Sequence, residues 1–105
     1  MAVEHLRGLG FRIVARNWRC RYGELDVIAD DQGAVVFVEV KTRTGDGFGG
    51  IPEAVTPHKV RRIRRLAGIW LAGQDTRWCG VRIDVVGVRV DGHGPPEVTH
   101  LRGVG

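Results

Sequence analysis

ELDVIADDQGAVVFVEVKTR, residues Glu24 to Arg43, sets two apolar runs on either side of a turn and carries charge where such runs ordinarily carry none. Glu24 to Ala29 reads as one strand and Ala34 to Thr42 as its return. Asp30-Asp31-Gln32-Gly33 supplies the turn chemistry between them. Burying a lone charge in such a strand costs several kcal/mol unless it is paired or bound. Asp26, Glu39 and Lys41 therefore need a reason to be there.

Strand side chains alternate with period two, so register decides which charges meet. If the hairpin closes with Ala29 facing Ala34, Asp26 lies opposite Phe37, and Glu24, Glu39 and Lys41 share its face. Asp26 and Glu39 are then diagonal neighbours, roughly 7 Å apart at Cβ, with carboxylates able to converge. A one-residue slip would undo this. Two carboxylates about 5 Å apart repel by roughly 3 kcal/mol at an effective dielectric of 20. Lys41 brings one positive charge, but Glu24 adds a negative one. A divalent cation with oxygen ligands, Mg²⁺ or Mn²⁺, meets that arrangement. The plain alternative is a Glu39–Lys41 salt bridge on a solvated strand face. The flanks in VVFVEV are apolar on both faces, which suits a strand covered on each side. The residues alone leave both readings open.

Outward from the hairpin, Ala2 to Leu9 places Val3, Leu6 and Leu9 at helical spacing before Gly10. Phe11, Ile13 and Ala15 alternate with Arg12, Val14 and Arg16 as a strand. A Gly-rich connection covers residues 43–55. Thr56 is then a fitting N-cap and Pro57 a fitting first helical residue, for a helix to about Ala72. Val81 to Val90 is a Val-rich strand, and Glu97 to Leu101 can add an edge strand. Arg82 and Asp84 share a face and are expected to pair. The order αβββαβ predicts an α/β fold, a mixed central sheet flanked by helices.

At 105 residues the chain is expected to be a single domain. Its net charge of +4 favours a polyanionic partner. Cys20 and Cys79 form no CxxC, and His5, His58, His93 and His100 share no ligand spacing, which argues against a disulfide scaffold and a zinc site. No signal-peptide pattern or long apolar run is present, so no membrane is expected, and a soluble, cytoplasmic protein is.

Asp26, then Glu39-Val40-Lys41 at the end of an apolar strand, resembles the PD-(D/E)xK nuclease superfamily. RNWRCRYGELDVIA, VVFVEVKTR and GGIPEAVTPHKVRRIRRLA resemble one branch of it, the YraN-type uncharacterised family related to Holliday-junction resolvases. The likeness runs from about Leu9 to Val90. It implies a restriction-endonuclease-like αβββαβ core and a metal-dependent endonuclease acting on nucleic acid, DNA first, with branched DNA among the substrates. It further implies that Asp26 and Glu39 bind Mg²⁺ or Mn²⁺, with the Val40 carbonyl a third candidate, and that Lys41 activates the attacking water. The alternative is a noncatalytic nucleic-acid-binding or adaptor domain that keeps the fold. A homodimer stays open. Relatives begin further upstream, with a Gly-Glu pair on the first helix. The first helix is therefore expected to be truncated at its N-terminus, with Glu4 too late to match and Glu24 a supporting candidate.

Along the second helix, Val60, Ile63, Leu66, Ala67, Trp70 and Leu71 form a core stripe of about 140°. Arg61, Arg62, Arg64 and Arg65 take the other side, with no acid at pairing distance, and are expected to contact phosphates. Lys59 lies at the end of the stripe, directed toward the sheet, either snorkelling or reaching a phosphate near the metal. Gly45, Gly47 and Gly50 satisfy G-x-G-x-x-G, but they open no helix directly and no strand-ending acid follows. They are expected to shape a loop beside the site, with Glu53 as a further supporting candidate.

Overall fold

In the computed structural model, which describes residues 1–44, 55–90, 92 and 94–105, the central hairpin closes across Gln32 and Gly33. Both have positive φ, 52° and 96°, as a two-residue type I′ turn requires. The Asp30 carboxylate accepts from the Gly33 N–H at 2.8 Å and ties the turn to its strand. Asp31 faces Ala34, Ala29 faces Val36 and Ile28 faces Phe37. The expected register, with Ala29 on Ala34, is corrected by two residues. A two-residue shift keeps every side chain on its face, so the sharing of faces survives.

The elements are α1 (Ala2–Gly8), β1 (Arg12–Cys20), β2 (Gly23–Asp31), β3 (Ala34–Thr44), α2 (Pro57–Ala72), β4 (Gly80–Val90) and β5 (Glu97–Leu101). They build one five-stranded sheet in the order β1-β2-β3-β4-β5. Neighbouring strands are antiparallel except β3 and β4, which are parallel and joined through the α2 crossover. This is the mixed α/β architecture expected of an αβββαβ core, with β5 added at one edge.

One helix covers each face. Ala2, Val3 and Leu6 of α1 pack with Phe11 on Val27, Ala29, Val36, Val38, Val86 and Val88. On the other face Val60, Ile63, Leu66, Ala67 and Trp70 of α2 cover Leu25, Ile28, Val35, Phe37 and Ile83. Val35, Val36 and Phe37 in β3 are wholly buried, which is why that strand reads as a continuous apolar run. Trp70 meets Phe37 edge-on, with centroids 5.8 Å apart. At the start of α2, Thr56 Oγ1 accepts from the Lys59 N–H at 3.1 Å, the cap the sequence predicts.

Two local expectations change. Leu9 is exposed rather than docked, because α1 ends at Gly8 and the Phe11 N–H bonds back to the Leu6 carbonyl at 3.0 Å. Phe11 takes the buried place. In β1 the pairing shifts between Ile13 and Ala15, so Val14 and Ala15 both pack on the α2 side. Such a bulge breaks strict alternation. Among the described residues no helix is long and apolar enough to cross a membrane.

Candidate metal and nucleic-acid site

The last β2–β3 pair before the strands part is Val27 with Val38. Beyond it the Val40 N–H donates to Asp26 Oδ2 at 2.8 Å, so a side-chain carboxylate takes over as the acceptor. Alternation also fails here, since Leu25 and Ile28 pack together on the α2 side while Val27 packs on the α1 side. Asp26 consequently borders hollows on both faces. The α1-side hollow, about 450 Å³, also touches Glu4, Arg16 and Asn17. The α2-side hollow, about 180 Å³, has walls of Glu24, Asp26, Glu39, Lys41, Lys59 and Arg62 over a floor of Ile63 and Leu66.

Glu39 has a pKa raised above the ordinary glutamate value, first by burial and then by the Asp26 charge, against the pull of Lys41 and Lys59. Lys41 Nζ lies 3.5 Å from Glu39 Oε1, and both side chains are about three-quarters buried, 26% and 23% exposed. The ion pair of the plain reading is therefore real, but it sits in a hollow and not on a fully solvated face. Lys59 reaches the same place from the first turn of α2. Its pKa is lowered, chiefly by the neighbouring Lys41 side chain, then by burial and the Lys41 charge. A second positive charge this near disfavours the charged form of Lys59.

Glu24 borders the hollow and also accepts from Arg19 Nε at 2.7 Å. Of the four helix arginines, only Arg62 lines the hollow. Arg65 lies over the Tyr22 ring. Arg64 donates to the Gly105 carbonyl on the other flank of α2, and Arg61 points outward with them exposed. The single arginine face expected from the wheel is thus divided. Glu53 and the Gly45, Gly47 and Gly50 loop lie outside the described residues.

Among the described residues no group of three or more His, Cys, Asp or Glu is disposed to hold a metal ion. The donor set is instead the Asp26 and Glu39 carboxylates, with Glu39 disfavoured as a bare anion first by burial and then by Asp26. That set fits Mg²⁺ or Mn²⁺, which take one or two carboxylates and keep several waters or phosphate oxygens.

Sequence reasoning missed the Tyr22 turn and a polar network on the α1 side. There His5 Nε2 and His100 Nδ1 lie 3.0 Å apart, and His100 Nε2 lies 2.8 Å from the buried Asp84. Arg82 grips Asp84 through two bonds of 2.8 and 3.1 Å, the pairing expected, and also bonds Asp31 at 3.0 Å. Spacing along the chain held no signal for the two histidines, which the fold alone brings together. Cys20 and Cys79 are free.

The fold and the hollow define an α/β protein with paired carboxylates and lysines where two sheet strands diverge. Residues 1–88 match the family described as "Uncharacterised protein family UPF0102". The chain belongs to that family, as the likeness to its YraN-type members implied. A "UPF0102 protein" of Mycobacterium avium is 67% identical over 107 residues, covering 100% of this chain and 84% of the relative. One from Mycolicibacterium smegmatis is 69% identical over 107 residues, covering 100% and 86%. A third, from Mycobacterium sp. strain KMS, is 69% identical over 106 residues, covering 99% and 78%.

Proposed function

We propose that this protein is a nucleic-acid-binding, endonuclease-like hydrolase that cleaves phosphodiester bonds, in DNA first, with Mg²⁺ or Mn²⁺. The observation that carries the reading is the convergence of Asp26, Glu39, Lys41 and Lys59 in one hollow beside Arg62. Asp26 and Glu39 would hold the ion. When bound, the ion lowers the pKa of water and stabilises charge on the phosphate. Lys41, held by Glu39, orients the attacking water. Lys59, whose pKa is lowered beside Lys41, is the amine of the hollow suited to accept a proton from that water. Arg62 faces the phosphate from the helix side.

One observation favours a noncatalytic nucleic-acid-binding or adaptor role. Glu39 is already paired with Lys41, and Asp26 with the Val40 N–H, without any ion. A cleavage assay on branched and single-stranded DNA with Mg²⁺ or Mn²⁺ separates the two, with Asp26→Ala as control. Metal-dependent cleavage lost in the variant supports the hydrolase. Binding without cleavage in the wild type supports the adaptor role.

A further inference from the structure

The β1–β2 connection is a two-residue turn, Arg21 and Tyr22, between the paired residues Cys20 and Gly23. Tyr22 leaves 49% of its surface exposed. Arg65 of α2 places its guanidinium carbon 4.6 Å from the ring centroid, and Arg21 places its own at 5.2 Å. The adjoining Gly23 has φ of +148°, and a Cβ there would stand 3.1 Å from Arg62 Nη2 and 3.2 Å from Leu66 Cδ1. Glycine suits the positive φ and leaves the Arg62 and Leu66 side chains of α2 room against the turn. The close approach sets Arg62 and Arg65 beside the Tyr22–Gly23 turn, and Tyr22 is two residues from the Glu24 wall of the hollow.

An isolated exposed tyrosine needs no explanation. An exposed ring flanked by two arginines, with a third at the mouth of a phosphate-sized polar hollow, combines the two parts of a single-strand site. Those parts are a π surface on which a base can stack and cations that follow the backbone. Bases inside a duplex already stack on their neighbours and have no free face to offer. We propose that Tyr22 stacks with an unpaired nucleobase that displaces a guanidinium now lying over the ring, and that Arg21, Arg62 and Arg65 then engage the flanking phosphates. The substrate class of the hollow is thereby single-stranded nucleic acid or an unpaired segment. This rests on the nucleic-acid reading of the hollow and adds the element that selects the strand.

The test is anisotropy with a labelled oligothymidylate and a duplex of equal length, in chelator so that no cleavage intervenes. Wild type should bind the single strand more tightly at equal salt. Tyr22→Ala should weaken single-strand binding by about 5- to 100-fold and duplex binding by less than about 2-fold. Tyr22→Trp should retain single-strand affinity, Tyr22→Leu should behave like Tyr22→Ala, and an abasic strand should bind wild type and Tyr22→Ala alike. Equal losses on both substrates, or full rescue by leucine, would overturn the stacking role while leaving the nucleic-acid reading intact. Wild type binding neither substrate would overturn both. Thermal melts establish that each variant is folded.

Discussion

Asp26 and Glu39 oppose each other electrostatically, and the fold retains both. Because the folded pKa of Glu39 is raised, its contribution to stability is present below the ordinary value of 4.5 and is lost as pH rises through the raised pKa. At neutral pH the carboxylate is therefore a burden on the ion-free protein. Glu39→Gln should raise the melting temperature there by a few degrees, with the gain vanishing near pH 4. In the same variant, and in Asp26→Asn, calorimetry with millimolar Mn²⁺ should show binding lost. A melting temperature that does not move, with Mn²⁺ binding intact, would remove both residues from the site. Lys41→Ala should reduce cleavage by about 10²- to 10⁴-fold and leave nucleic-acid affinity within a few-fold, since one lysine matters more to the water than to overall attraction. That these three residues border one hollow was legible in the sequence, because a two-residue error in register leaves Glu39 and Lys41 on one face. The local break in alternation that opens Asp26 to both faces was not. The arrival of Lys59 at the same hollow was harder to read. It depends on where α2 docks, and the helical wheel indicates only that Lys59 faces the sheet.

Helix α2 packs one face on the sheet and leaves its four arginines exposed. Its core stripe was legible because Val60, Ile63, Leu66, Ala67 and Trp70 recur with helical period, and all five are buried. Its arginines were not fully legible, because flank neighbours come from distant segments: the Tyr22 turn on one side and Gly105 on the other. The bulge at Val14 was hidden for a related reason, since an apolar residue at an expected outward position looks like an ordinary exception. Replacing Arg62 and Arg65 together with Ala should flatten the log–log salt dependence of duplex binding by about 1.8, two phosphate contacts' worth. Arg64→Ala should leave that slope unchanged. The reverse result would move the binding surface to the Gly105 flank. Gly23→Ala meets a positive φ and two close neighbours at once. It should cost about 1–3 kcal/mol, read from urea unfolding, and should loosen α2 from the turn.

Over the whole molecule, one polar network ties together parts of the chain that the two apolar cores hold separately. It joins His5 on α1, His100 on β5, Asp84 and Arg82 on β4, and Asp31 on β2, with the Gly103 N–H donating to Asp84 at 3.0 Å. Burial works to raise the pKa of Asp84, but Arg82, His100 and Gly103 together hold it below the ordinary carboxylate value. Asp84 therefore stays charged, and the proton-sensitive group is His5. One ring nitrogen must donate and the other accept across the 3.0 Å contact, so protonating both rings destroys it. The pKa of His5 is lowered, first by burial, then by His100 and Arg102. A lowered histidine pKa means that the folded state binds fewer protons than the unfolded chain. The stability this contributes is fully present above the ordinary value of 6.5 and is lost as pH falls below it. Urea midpoints should accordingly drop between pH 7.5 and pH 5.5. Glu39 works in the opposite sense as its own protonation range is approached, so the wild-type curve sums two effects. His5→Gln isolates them, because it keeps a hydrogen-bonding group opposite His100 and removes the titration. The variant should lose most of the drop over that interval while matching wild type within about 1 kcal/mol at pH 7.5. If wild type and variant fall in parallel, the α1–β5 tie is insensitive to pH, and the acid response must come from elsewhere in the sheet.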